Sequence, residues 1–305
     1  MVFFSVLAAV ALEHLRPQRL PMPHYQFYTR FVLWLNRRLN GGAASHGAIA
    51  WTLAVVPLLL VVGLIFLVLY GVNPLLGWVW NVVVLYATMG FKYFSDTAEQ
   101  VARLLRAGDL DGARARLVDW RGGDASHFSE DDVIRITIEQ TMASSHRQMF
   151  GVLFWFVVLS PLGPVGAVLF RCASILARRW IAPQGQFGFF AERVFDLVNW
   201  LPARLTALTY AIAGNFEDAT FCWRTQAPGW PESEEAVVLA AGAGAMGLRL
   251  GQDVNVGGQT VWRPELGTGQ TPEIDSINSA VSMIWRGLAI WLVAGLLVVI
   301  AGWVS

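Results

Sequence analysis

The sequence predicts an all-α, polytopic membrane protein with three spanning helices, two or three broken or re-entrant segments, and helical sections outside the bilayer. Three observations carry this. The chain of 305 residues is 55% hydrophobic and only 14% charged, and its mean hydropathy of +0.49 lies well above that of a soluble enzyme. Uncharged runs reach the ~20 residues that a helix needs to cross the hydrocarbon core. Between those runs, the polar stretches place apolar residues at helical spacing.

Charge and cysteine content exclude several function classes. Twenty-two basic residues balance twenty-two acidic ones, so no global field draws in nucleic acid, and nucleic-acid binding is disfavoured. Cys172 and Cys222 follow no metal spacing and lie among apolar or aromatic residues, which marks them as inert buried thiols rather than ligands or a disulfide framework. His14, His24, His46, His127 and His146 are scattered with no H-x-H or H-x-x-x-H pair, so no metal site is read from them.

Taken in order, the N-terminal run "MVFFSVLAAVAL" has no positive charge before it, as a signal peptide would require. It is expected to stay as a short buried helix or half-span. Trp51 to Val72 is free of charge, and Leu75 to Phe91 returns after the Asn73-Pro74 turn, so 51–91 reads as a helical hairpin across the membrane. Arg16, Arg19, Arg30, Arg37 and Arg38 precede it against the single acid Glu13, which puts this side in the cytoplasm and the protein in the inner, plasma membrane.

Residues 92–148 read as helical and cytoplasmic: "AGDLDG" divides two helices, and Ser129 with Asp132 forms a capping box that opens a third. In 149–216 the run from Met149 to Leu169 is interrupted by "SPLGPVG", which predicts a broken or re-entrant hairpin whose non-helical backbone needs cover from protein. Asn199 to Gly214 reads as a second partial insertion. The section 217–283 is polar, acidic and glycine-rich, and 284–304 is the C-terminal span.

Two motifs invite a functional reading. Gly242, Gly244 and Gly247 spell G-x-G-x-x-G, yet no second strand and crossover follow, so close packing of small residues on a helix outweighs a dinucleotide site. Arg204 lies among apolar residues, with Asp196 and Asn199 eight and five residues before it and Pro202 between. An arginine at membrane depth usually pairs internally or lines a pathway. A structural ion pair and a ligand-binding arginine are both open for it.

The stretch "FDLVNWLPARLTALTYAIAG" is closely similar to the segment N-W-x-P-A-R-L-T-A of the CobD/CbiB family of cobalamin-biosynthesis membrane proteins. Four further stretches agree in order: "PHYQFYTRF", "RAGDLDGARARL" with "GGDAS", "ITIEQTMASSHRQMFGVLFW" and "GAMGLRLG". The chain therefore resembles the family over nearly its whole length, as a single membrane domain covering 1–305. The resemblance implies ATP-dependent amide ligation, joining adenosylcobyric acid to aminopropanol or its phosphate. It further implies Arg204, Arg249, Asp124 and Glu139 as polar ligands of a phosphate- or corrinoid-bearing site, with Asn199 and Asp196 as further binding candidates. No cofactor is implied by the residues alone; ATP and magnesium follow if the family activity is retained, with Asp124 or Glu139 able to hold the metal. The lipid bilayer is the expected partner, and the sequence leaves the oligomeric state open.

The chain also departs from the family pattern. Glu139 is kept, but the family's E-N pair falls on Ala143 and Ser144, its aspartate on Arg147 and its proline on Val152, and "LFRCASILARRW" stands where N-T-L-D-S-M is expected. The signalling modulators called AmpE share such losses, and "LFWFVVLSPLGPVG" and the terminal "AVSM" are similar to that branch. A divergent pathway enzyme and a non-catalytic AmpE-like sensor are thus the two readings, with a transporter as a third that no inverted repeat supports.

Overall fold

The computed structural model describes residues 1–16, 23–180, 186–230, 233–257 and 259–304; Arg19 of the basic N-terminal set lies outside them. Thirteen α-helices occur among the described residues: α1 (Val2–Leu15), α2 (Pro23–Leu39), α3 (Ala44–Val72), α4 (Pro74–Thr88), α5 (Phe91–Arg106), α6 (Leu110–Arg121), α7 (Glu130–Ser145), α8 (Gly151–Val158), α9 (Val165–Arg179), α10 (Phe189–Ala213), α11 (Phe216–Thr225), α12 (Ser233–Met246) and α13 (Ile274–Val304). Among the described residues the strands are four and short, β1 (Leu250–Gly251), β2 (Val254–Val256), β3 (Gln259–Val261) and β4 (Glu265–Leu266). The protein is an all-α polytopic membrane protein, as its composition predicts. Ala44–Val72, Pro74–Arg106 and Ile274–Gly302 are long and apolar enough to cross a bilayer. Leu60, Leu64 and Leu67 on α3 and Leu296, Leu297 and Val298 on α13 are exposed, an arrangement that suits lipid and not water.

The chain divides into two compact units, Met1–Gly90 with Arg147–Pro202, and Phe91–His146 with Ala203–Ser305. In the first, Val32 and Leu35 of α2, Val55 and Val62 of α3, Leu176 of α9 and Trp180 belong to one buried apolar cluster. The Trp180 indole N–H donates to the Val32 carbonyl at 3.1 Å. The interrupted apolar run forms α8 and α9, joined by a 3-10 turn at Ser160–Leu162 and by Gly163, whose φ of 72° suits glycine. A Cβ on Gly166 would lie 2.0 Å from the Trp155 carbonyl oxygen, and one on Gly151 would strike the Phe170 ring. These two contacts pair residues in opposite order along the chain, so α8 and α9 form an antiparallel hairpin held at close approach.

Pro202 sits inside α10. Having no N–H, it cannot bond the carbonyl four residues back, which belongs to Val198. The Trp155 indole N–H on α8 takes that carbonyl at 2.9 Å, so the proline break is satisfied within the unit.

In the second unit the capping box at Ser129 and Asp132 opens α7, as the spacing predicts. The G-x-G-x-x-G stretch lies on α12 and in the turn after it. A Cβ on Gly244 would be 2.5 Å from the Asp218 carbonyl oxygen of α11, and one on Gly242 would meet Met142 and Tyr210. Gly242 and Gly244 therefore serve close helix packing, while Gly247, with a φ of 63°, turns the chain out of the helix. β1 pairs antiparallel with β4 and β2 with β3, giving one long interrupted hairpin over 250–266.

Replacing Trp155 with Phe should destabilise the protein by about 1–3 kcal/mol, the cost of stranding a buried carbonyl. Adding Pro202→Ala restores an N–H for Val198, so thermal unfolding of the Trp155→Phe/Pro202→Ala double variant should recover most of the loss. Equal destabilisation with and without the alanine would contradict this account.

Candidate functional site

Among the sequence-derived candidates, Glu139 is the one that the structure builds most fully. It projects from α7, is 7% exposed, and accepts from the Gly251 backbone N–H through Oε1 at 2.9 Å. Its Oε2 accepts from the Arg263 guanidinium. Arg263 in turn lies 4.8 Å over the Trp230 ring, a stacking that suits a guanidinium better than an ammonium.

One turn earlier on the same helix face, Arg135 makes a second clamp. Its Nη1 donates to Gln252 Oε1 at 2.8 Å, and its Nη2 donates to Asp132 Oδ1 at 2.5 Å and to the Asp253 carbonyl at 3.0 Å. The Arg135 Nε is buried and has no hydrogen-bond partner among the described residues. Gln252 has a φ of 64°, unusual for a residue with a side chain. Its Nε2 donates to Glu265 Oε2 at 3.1 Å, so the strained backbone is fixed by side-chain bonds to both α7 and β4.

Asp124 lies in the glycine-rich turn before α7, where Gly122 and Gly123 both have a φ of 82°. It is exposed and its Oδ1 accepts from the Ser126 N–H at 2.9 Å. That backbone bond, then the Ser126 side chain, hold its carboxyl below the usual carboxylate range. A Cβ at Gly257, at the tip of the hairpin, would be 3.8 Å from Asp124 Oδ2. Arg249 is exposed, two residues before Gly251, and its backbone N–H donates to the Gln270 carbonyl at 2.8 Å. Glu139 and Arg249 thus lie at the base of the hairpin and Asp124 by its tip, at opposite ends of the same element.

Arg204 is placed elsewhere. On the C-terminal part of α10, Thr206 Oγ1 bonds His146 Nδ1 at 2.9 Å and the Tyr210 hydroxyl bonds Ser145 Oγ at 2.5 Å. α10 therefore runs antiparallel to the end of α7, and at 1.5 Å per residue Arg204 and Glu139 are separated by roughly 15 Å along the helices. Arg204 is half-buried, two residues before Thr206, which is buried together with Ser144, Ser145 and His146. Asp196, half-buried, and Asn199, buried, belong to the other compact unit.

Three residues of the clamp carried little or no sequence signal. Arg135 was legible in principle, as an i,i+4 partner of Glu139 on a helix with Asp132 one turn before it. Arg263 and Gln252 sit in irregular stretches more than a hundred residues away in sequence, and only the hairpin geometry delivers them.

Arg263→Met leaves Glu139 as a buried charge without its cation and should destabilise the protein by about 3 kcal/mol. Adding Glu139→Gln removes the charge while keeping an acceptor for the Gly251 N–H. Thermal unfolding of the double variant should therefore lie closer to the parent than that of Arg263→Met. A double variant as unstable as the single one would show that the ion pair is not what holds the hairpin.

The family model described as "CobD/Cbib protein" matches residues 6–284. A cobalamin biosynthesis protein CobD of Stutzerimonas stutzeri is 37% identical over 309 residues, covering 99% of this chain and 98% of the relative. Its counterpart in Chromobacterium violaceum is 41% identical over 221 residues, covering 72% and 70% respectively, and that of Synechocystis sp. is 28% identical over 247 residues, covering 75% and 70%. No solved structure matches. With its motifs, its helical membrane fold and a match over nearly the whole length, the chain belongs to the CobD/CbiB family.

Proposed function

We propose that this protein is an inner-membrane enzyme of cobalamin biosynthesis that performs the amide ligation of adenosylcobyric acid with aminopropanol or its phosphate. The observation that carries this reading is the family match over residues 6–284. Two of the family-like stretches, those holding Glu139 and Arg249, join at the base of one hairpin clamped to α7, and a third, holding Asp124, lies by its tip.

The reaction forms a C–N bond between a carboxyl carbon and an amine, and ATP supplies the driving force by activating the carboxyl. Phosphate groups then need cations and usually a carboxylate-held magnesium ion. No group of three or more metal-binding side chains occurs among the described residues, so a dedicated protein cage for magnesium does not fit. A magnesium ion arriving with phosphates needs only one or two carboxylates. Asp124, exposed and held ionised, fits that need. Exposed Arg249 fits a phosphate or carboxylate oxygen. Glu139, engaged by Arg263 and the Gly251 N–H, orients the hairpin that carries Arg249.

A second reading draws on Ala143 and Ser144, which stand where the family has its E-N pair and are buried. It makes the protein a non-catalytic, AmpE-like sensor whose corrinoid or phosphate ligand biases the hairpin.

Corrinoid mass spectrometry separates the two. In a strain lacking its own cobinamide-phosphate synthase, fed cobyric acid, this protein should yield cobinamide or its phosphate. Asp124→Asn and Arg249→Gln should each lower the yield at least tenfold at unchanged membrane abundance, whereas Arg204→Ala tests the remote arginine separately. Unconverted cobyric acid with folded protein in the membrane would overturn the enzyme and leave the sensor.

A further inference from the structure

Contacts within the second unit fix the side on which its polar elements lie. The Phe91 and Trp285 rings meet with centroids 4.9 Å apart, and Arg106 Nη2 lies 2.6 Å from Asp275 Oδ1, so α5 and the first part of α13 are antiparallel. Ile277, Met283 and Leu288 in that part are buried, whereas Val293, Leu297 and Val298 beyond it are exposed. α13 therefore enters lipid from the side on which α5 lies. α7 packs on α5 and α13, Glu139 and Arg135 fasten the β-hairpin to α7, and Gln226, after α11, bonds the backbone of Gly267. α3 and α4 cross twice between α2 and α5, and α2 exposes Arg30, Arg37 and Arg38, which marks the shared side as the cytoplasm.

The first unit shows how the chain leaves that side and returns to it. α9 lies along α3 in reverse: a Cβ on Gly163 would strike the Phe66 ring, one on Gly63 would be 3.2 Å from Val165 Cγ2, and one on Gly47 would overlap the Phe187 carbonyl. The Gln186 N–H donates to the Gly42 carbonyl at 3.2 Å, just ahead of α3. The chain thus comes back to the end of α3 from which α3 sets out. Phe66 is fifteen residues past Trp51, about 22 Å along the helix, inside a hydrocarbon core ~30 Å thick. Residues 148–170 carry no charge, and exposed Arg178 and Arg179 end α9, as suits a cytoplasmic mouth. α8 has eight residues and α9 fifteen, each short of the ~20 that a span needs. The turn between them bonds its own backbone, Leu162 N–H to the Leu159 carbonyl at 2.9 Å and Gly163 N–H to that of Ser160 at 3.0 Å. Val158 and Leu162 beside it are half-exposed, which suits hydrocarbon.

We infer that α8 and α9 form a re-entrant hairpin that enters from the cytoplasmic face and rests its tip in lipid, and that α5–α7 and α11–β4 face the cytoplasm together. The β-hairpin over 250–266 then takes its ligand from the cytoplasm, the compartment that supplies a soluble nucleoside triphosphate. That last step rests on the amide-ligase reading; the topology does not.

The test places single cysteines in the full-length protein, with Cys172 and Cys222 replaced by Ala, and labels them with a membrane-impermeant maleimide in right-side-out and inverted membrane vesicles. Gln186→Cys reports the return of α9 and Gln259→Cys the β-hairpin, both at exposed positions. Exposed Ala115→Cys on α6 and Val72→Cys at the end of α3 mark the inner and outer faces. Gln186→Cys and Gln259→Cys should label at least tenfold more in inverted vesicles, as Ala115→Cys does, with Val72→Cys reversed. Glu192→Cys and Thr260→Cys, also exposed, repeat the two measurements. Labelling of Gln186→Cys from the outer face makes 147–179 a single crossing and overturns the re-entrant hairpin; the same result at Gln259→Cys overturns the shared side. Silence at both positions of a pair in both vesicles, with labelling restored in detergent, equally overturns the cytoplasmic exposure assigned to it. Corrinoid conversion is measured apart from these reporters, so failure of the topology and failure of the enzyme are told apart.

Discussion

A chain with long lipid-facing helices must satisfy its buried backbone groups and charges from within, because hydrocarbon offers no hydrogen bonds. The tryptophans show how this protein does so. Trp155, Trp180 and Trp80 donate their indole N–H to the carbonyls of Val198, Val32 and Val62, and Trp291 donates to Thr209 Oγ1. Each supplies a large apolar body with a single donor at its edge, which fills space between helices while meeting one polar need. The proline at 202 is tolerable for this reason, and the "NWLPARL" stretch stays within one helix whose lost backbone hydrogen bond is replaced by a side chain of a neighbouring helix.

The hairpin over 250–266 follows the same constraint. Its strands are too short to be stable alone, and it is fixed instead by charged side chains from α7: Glu139 accepts from the Gly251 N–H, and Arg135 donates to the Asp253 carbonyl. These bonds hold Gln252 in a backbone conformation that a side chain seldom adopts. A polar, irregular segment is thereby given a single shape and carries Arg249 at its base.

Helical and spanning segments were legible because hydropathy and capping chemistry are local. Ser129 and Asp132 form the capping box that their spacing announces, and Gly242 and Gly244 pack helices as their surroundings suggest. The break at "SPLGPVG" gave the α8–α9 hairpin for the same reason. The site was legible only in part. Glu139, Asp124 and Arg249 could be singled out by resemblance to family stretches, but the same resemblance grouped them with Arg204, which the helix register places away from Glu139. Arg263 and Gln252 were invisible, since their roles depend on long-range pairing that no local pattern encodes.

The altered family acids also have a positional meaning. Asp132, Arg135, Glu139 and Ala143 follow one another at helical spacing along one stripe of α7. In this chain the charged part of that stripe ends at Glu139, and Ala143 continues it as buried apolar surface. Ser144, beside it, is buried and takes a 3.3 Å bond from Gln140. An acid at position 143 would demand a partner or a cation in that interior, so its replacement by alanine removes the demand as well as the ligand. The charged part of α7 is therefore the end that faces the hairpin, where Arg135 and Glu139 remain.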